Sequence, residues 1–104
     1  MKSKKQDAIA DAVEMLGDKW ALMVVHRLLS DDKQCFNELL RSLKTISSRT
    51  LSLKLQKLEK DGLLTRKILD QRPIKVQYAL TTKGNALKKT LQAFGKWYAG
   101  VGKR

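Results

Sequence analysis

Between residues 47 and 60 the chain sets out Ser47, Ser48, Arg49, Ser52, Leu53, Gln56, Lys57 and Lys60. These side-chain types suit the reading of base edges. A guanidinium fork donates to guanine, a primary amide both donates and accepts at adenine, short hydroxyls let a backbone come close, and a leucine can touch a thymine methyl. At about 100° per residue they gather opposite Leu51, Leu55 and Leu58, on a face that carries no acidic residue of its own. A second set, Arg66, Lys67, Arg72 and Lys75, follows at once. There, cations can pair with phosphates or, at Arg72, enter a narrow minor groove. The same charges would also guard an exposed sheet edge.

Residue patterns for other chemistry are missing. No Gly-rich loop ends in Gly-Lys-Ser/Thr, and there is no Cys-x-x-Cys, His-Glu-x-x-His or Gly-x-Ser-x-Gly. The single histidine, His26, falls among apolar residues and is expected to pack. Asp31 and Asp32 have turn chemistry. Cys35, the one cysteine, has no disulfide partner in the chain and is expected to behave as a small, half-buried hydrophobe. No catalytic residue, metal site or cofactor is therefore assigned.

The elements that must position the two cationic sets are legible from periodicity. Ile9, Val13 and Leu16 form a helical stripe stopped by Gly17. Asp18 can cap a second helix through Trp20, Leu22, Met23, Val24, Val25, Leu28 and Leu29, apolar around most of its circumference. Ser30 to Lys33 reads as a turn, after which Asn37 is placed to cap a brief helix containing Leu39, Leu40 and Leu43, the start of a helix-turn-helix. Ser47 then caps the longer helix, 47–61, through the backbone N–H of Arg49 or Thr50. Gly62 ends it, with Leu63 folding back on Leu58. Period-two alternation at Val76, Tyr78 and Leu80 predicts a strand paired with Leu64 to Ile68, making a wing over 64–80 whose tip is Asp70 to Pro73. Thr81 can cap one last helix bearing Leu87, Leu91, Phe94, Trp97, Tyr98 and Val101. The expected fold is mainly α with a small β component, a winged helix-turn-helix in the order helix, helix, helix, helix, β-hairpin, helix. Residues 7–104 form its single domain, behind a mobile basic tail over 1–6.

Bulk properties point the same way. With 42% hydrophobic residues in 104 the chain can fold around one core, and its net charge of +12 calls for a polyanionic partner. The charge is uneven. Residues 1–40 hold six basic and seven acidic groups, 41–75 hold ten and three, and 76–104 hold six and none. The apolar run Ala21 to Val25 is far too short to span a bilayer, and Asp7, Asp11 and Glu14 interrupt any signal-peptide core. A cytoplasmic, nucleoid-associated protein is expected.

Five segments resemble the HxlR-type winged helix-turn-helix regulators, in that family's order and spacing. They are Leu16 to Trp20, Phe36 to Leu39, Ile46 to Leu51, Leu58 to Leu63 and Tyr78 to Gly84. The more distant MarR-type regulators share the architecture without the Gly-Asp-Lys-Trp element. The resemblance implies a prokaryotic, dimeric DNA-binding regulator whose first and last helices make the dimer contact, here through Ile9, Val13, Leu91, Phe94, Trp97 and Tyr98. Members that sense oxidants carry a cysteine before the first helix, where this chain has Asp7. The expected partners are double-stranded DNA, in a near-palindromic operator, and a second copy of the chain. Two other functions fit a basic winged helix: docking on acidic proteins of the transcription machinery, or binding RNA, for which the chain lacks an aromatic-rich sheet.

Overall fold

The computed structural model describes residues 7–102; the expected tail over 1–6 lies outside the described residues. Two capped helices open the chain, α1 (Ala8–Leu16) and α2 (Lys19–Asp31). The Asp7 carboxylate accepts from the N–H groups of Ile9 and Ala10 at 3.1 and 3.2 Å, and that of Asp18 accepts from Trp20 at 3.1 Å. Each thereby satisfies amides that a helix start leaves without partners. Central α2 buries Ala21, Val24, Val25 and Leu28. His26 corrects an expectation: it is exposed, because its position on α2 turns away from the Val24, Val25 and Leu28 side.

The stretch read as a turn at Lys33 is a strand, β1 (Lys33–Cys35), followed directly by α3 (Phe36–Leu43). Strand pairing holds the backbone extended as far as Cys35, so the helix starts at Phe36 and Asn37 lies inside its first turn rather than capping it. The Glu38 carboxylate instead reaches back to accept from the Cys35 N–H at 2.7 Å. Cys35 itself is half-buried.

Next comes α4 (Ser48–Lys60). The Ser47 hydroxyl accepts from the Thr50 N–H at 3.0 Å, and its own proton faces the Thr50 hydroxyl, also at 3.0 Å. At the far end Leu63 N–H bonds the Leu58 carbonyl and Gly62 N–H the Glu59 carbonyl, the paired bonds of a Schellman ending. Gly62 permits this with φ at +81°, where other residues are strained. Leu51, Leu55 and Leu58 are buried and join Leu28, Leu39 and Leu63 in the core.

The wing is β2 (Leu64–Gln71) and β3 (Ile74–Leu80), with β3 central in the sheet order β1-β3-β2, all antiparallel. Pairing runs further out than expected. Asp70 faces Lys75 and Gln71 faces Ile74, leaving Arg72 and Pro73 alone as the tip, and a bulge lies between Ile68 and Asp70. Alternation in burial fades towards the tip, so sequence periodicity could not follow the ladder there.

The expected single last helix is interrupted. Thr81 caps only one turn, α5 (Thr82–Asn85), by accepting from Gly84 N–H at 3.1 Å. Leu87 N–H then bonds the Gly84 carbonyl three residues back, a tightened turn, before α6 (Lys88–Trp97) begins and runs into a π-helical turn over Tyr98–Gly102. Continuous apolar spacing concealed this break at Ala86 and Leu87.

Candidate nucleic-acid interface

The helix-turn-helix is α3 followed by α4, and the core leucines of α4 decide which side faces out. Arg49, Leu53 and Gln56 are exposed on the far side, Leu53 to 53%, while Ser52 is half-buried. Ser48 and Ser47 are exposed at the helix start, though the Ser47 hydroxyl is already engaged in the cap. Arg66, Lys67, Arg72 and Lys75 are all exposed on the wing.

The tertiary fold brings part of the two sets together. Ser52 and Gln56 from α4, Arg66 from β2 and Tyr78 from β3 line one recess of about 310 Å³. Glu59 lines it as well. The sequence predicts no acid on this face. Glu59 lies one shoulder away from Gln56 on the helix, and the wing folds against that shoulder. On the other side of the wing, Asn37 and Lys75 border a second recess of about 340 Å³ with Arg41 and Ile74.

The opposite shoulder of α4 serves a different purpose. Lys57 Nζ donates to the Asp61 carboxylate at 2.9 Å and to the Met15 carbonyl at 3.3 Å, at the end of α1. One turn earlier, Lys54 Nζ pairs with the Asp18 carboxylate at 2.6 Å. Two lysines of α4 thus grip the α1–α2 corner. Partial burial of Asp18 disfavours its charged form, but the hydrogen bond and charge of Lys54, with the Trp20 and Ala21 amides, outweigh it and hold the carboxyl below its ordinary value.

The terminal helices present a separate apolar surface. Ile9, Val13 and Leu16 of α1 face Leu87, Leu91 and Phe94 across an open groove of about 500 Å³. Ile9 is 76% exposed and Val13 59%, and Phe94, Trp97, Tyr98 and Val101 are each more than half exposed. Phe94 and Trp97 stack with ring centroids 6.3 Å apart. Among the described residues no helix is long and apolar enough to cross a membrane, and no three His, Cys, Asp or Glu side chains gather as a metal site.

A helix-turn-helix whose second helix lies beside a basic β-hairpin defines a winged helix-turn-helix protein. The HxlR-like helix-turn-helix family model matches residues 15–104, and the chain belongs to that family. Among curated proteins it is 39% identical over 85 residues to BH0655, an HTH-type transcriptional regulator of Halalkalibacterium halodurans, covering 82% of this chain and 75% of that protein. It is 34% identical over 86 residues to the HTH-type transcriptional regulator YodB of Bacillus subtilis, covering 83% of this chain and 76% of that one. The solved structure of reduced YodB superposes with a TM-score of 0.78 at 31% identity, over 97% of this chain and 95% of that one. Reduced HypR, a redox regulator, superposes with a TM-score of 0.83 at 31% identity, over 90% of this chain and 92% of that one. The chain is accordingly a helix-turn-helix transcriptional regulator, of a family of regulators rather than enzymes.

Proposed function

We propose that residues 7–104 form one winged helix-turn-helix domain that binds double-stranded DNA sequence-specifically as a homodimer, in the cytoplasm and on the nucleoid. The observation that carries this reading is the recess in which Ser52 and Gln56 of α4 meet Arg66 of the wing: one surface offers base-reading and phosphate-pairing groups together. In the complex α4 enters the major groove with Ser48, Arg49, Ser52, Leu53 and Gln56 towards the bases, and Ser47 presents its capped backbone at the helix start. Asn37 and the wing residues Arg66, Lys67, Arg72 and Lys75 hold phosphates or the minor groove. Lys57, expected from the sequence to join them, instead holds α4 against α1.

Two recognition helices about 34 Å apart, one turn of DNA, would read a near-palindromic operator. The dimer contact is made by the groove of α1 and α6, through Ile9, Val13, Leu91 and Phe94, and by the exposed Trp97 and Tyr98 beyond it, an apolar surface larger than scattered exposure explains. Selection of bound sequences from a random duplex pool at near-physiological salt tests specificity and half-site spacing together. A two-fold repeated motif is expected. Failure to enrich any motif, or equal binding to structured RNA, would overturn the reading.

A further inference from the structure

The outer wing carries apolar surface among its charges. Every residue from Thr65 to Lys75 is exposed, and among them Ile74 stands at 71%, Ile68 at 48% and Leu69 at 43%. Ile74 lies on the same sheet face as Val76, Tyr78 and Leu80, by the two-residue period of β3. That face packs on the core near the base of the wing, where Tyr78 is buried, and continues uncovered to the tip. Ile74 follows Pro73, whose ring stiffens the turn. The tip is ordered from the other strand by the Asp70 carboxylate, which accepts from Gln71 N–H at 2.8 Å and Arg72 N–H at 3.4 Å. Asp70 is also the only acid between Thr65 and Lys75, where Arg66, Lys67, Arg72 and Lys75 carry the opposite charge.

Arg41, Arg72 and Lys75 flank this apolar tip, and the two nearby acids, Glu38 and Asp70, are engaged by backbone amides, so the tip is net positive and poorly suited to a second copy of itself, which would bring like charges together. It does suit a polyanion whose interior is apolar. We propose that Ile74, backed by Pro73, acts as a wedge that enters the minor groove at a pyrimidine–purine step and kinks the operator, while Arg72 and Lys75 hold the flanking phosphates. Such steps unstack most readily, and aliphatic side chains inserted between them bend duplexes towards the major groove. The wedge adds sequence preference at a step to which no side chain hydrogen-bonds. This inference rests on the DNA-binding reading above and extends it to the shape of the bound DNA.

The test uses the full chain and a duplex recovered by the random-pool selection, labelled at both ends for energy transfer, with binding followed separately by footprinting. The wild-type protein is expected to bring the ends closer on binding. Ile74→Ser should keep the footprint, lose the end-to-end change and bind roughly fivefold more weakly. Ile74→Leu should restore both. Arg72→Ala should weaken binding to all sequences while each bound duplex stays bent.

A wild-type complex that footprints normally on a straight duplex overturns the wedge and leaves the DNA-binding reading intact. Absence of any footprint removes both. If Ile74→Ser bends DNA normally but lowers the mass of the free protein by light scattering, the tip is a self-association surface and the wedge is wrong.

Discussion

Arg49 and Lys57 are both cations of α4, yet their surroundings assign them different tasks. Arg49 is exposed on the outward side, whereas the Lys57 ammonium is engaged by Asp61 and the Met15 carbonyl. Arg49→Ala is expected to cost about 1–3 kcal/mol of operator binding and to relax the preference at one base pair. Lys57→Ala should leave the slope of affinity against salt unchanged, since a phosphate contact would contribute about one unit to it. Titration of both variants over a salt series checks this; a shallower slope for Lys57→Ala would return that residue to the DNA contacts. Asp18 yields a prediction in pH. Its carboxyl is depressed in the folded chain, so the stabilisation it gives is fully present above the ordinary carboxylate value and is lost as pH falls through the lower folded one. Thermal melts between about pH 5 and pH 2 should fall less steeply for Asp18→Asn than for the wild type. The variant should be the less stable of the two at neutral pH.

At the scale of elements, α4 owes its length to its ends. Ser47 supplies the start and Gly62 the stop, and each is matched by a hydrogen bond that replaces a missing helical one. A Cβ at Gly62 would meet nothing closer than Lys83 Cδ at 3.8 Å, so the cost of Gly62→Ala is backbone strain alone, about 1–2 kcal/mol at its positive φ. Gly95 is the contrasting case. It lies within α6, and a Cβ there would meet nothing within 4 Å. Gly95→Ala should stabilise the chain by about 0.5–1 kcal/mol. Urea unfolding of the two variants at equal protein concentration should therefore move the midpoint in opposite directions. Movement in the same direction would mean that α6 packs against something at Gly95.

For the whole molecule the decisive quantity is the surface left uncovered. Ile9, Val13, Phe94, Trp97 and Tyr98 are each more than half exposed, on elements at the two ends of the chain that meet along one groove. In water such a surface favours association, at about 25 cal/mol for each Å² it removes from solvent. Light scattering behind size exclusion at micromolar protein should give the mass of a dimer. Phe94→Asp should give a monomer that keeps its helical circular dichroism and loses most operator affinity, because half-sites are then engaged singly. A wild-type monomer would overturn the dimer, and a dimeric Phe94→Asp variant would require another contact.

Most of the architecture could be derived from residue order, because it is built from local signals. Caps at Asp18 and Ser47, the glycine stop at Gly62, the leucine period of α4 and the alternation of β3 each act within a few residues. What escaped depends on neighbours distant in the chain. Lys33 to Cys35 is a strand only because Gln77 to Ala79 lies beside it, and Asn37 loses its cap role as a result. Lys57 bonds the end of α1 because the Met15 carbonyl comes to meet it, and Glu59 lines the recess because the wing folds against its side of α4. Periodicity specifies which way a side chain points from its own axis. What stands at the other end of that vector is decided by packing between elements, and only the folded chain contains it.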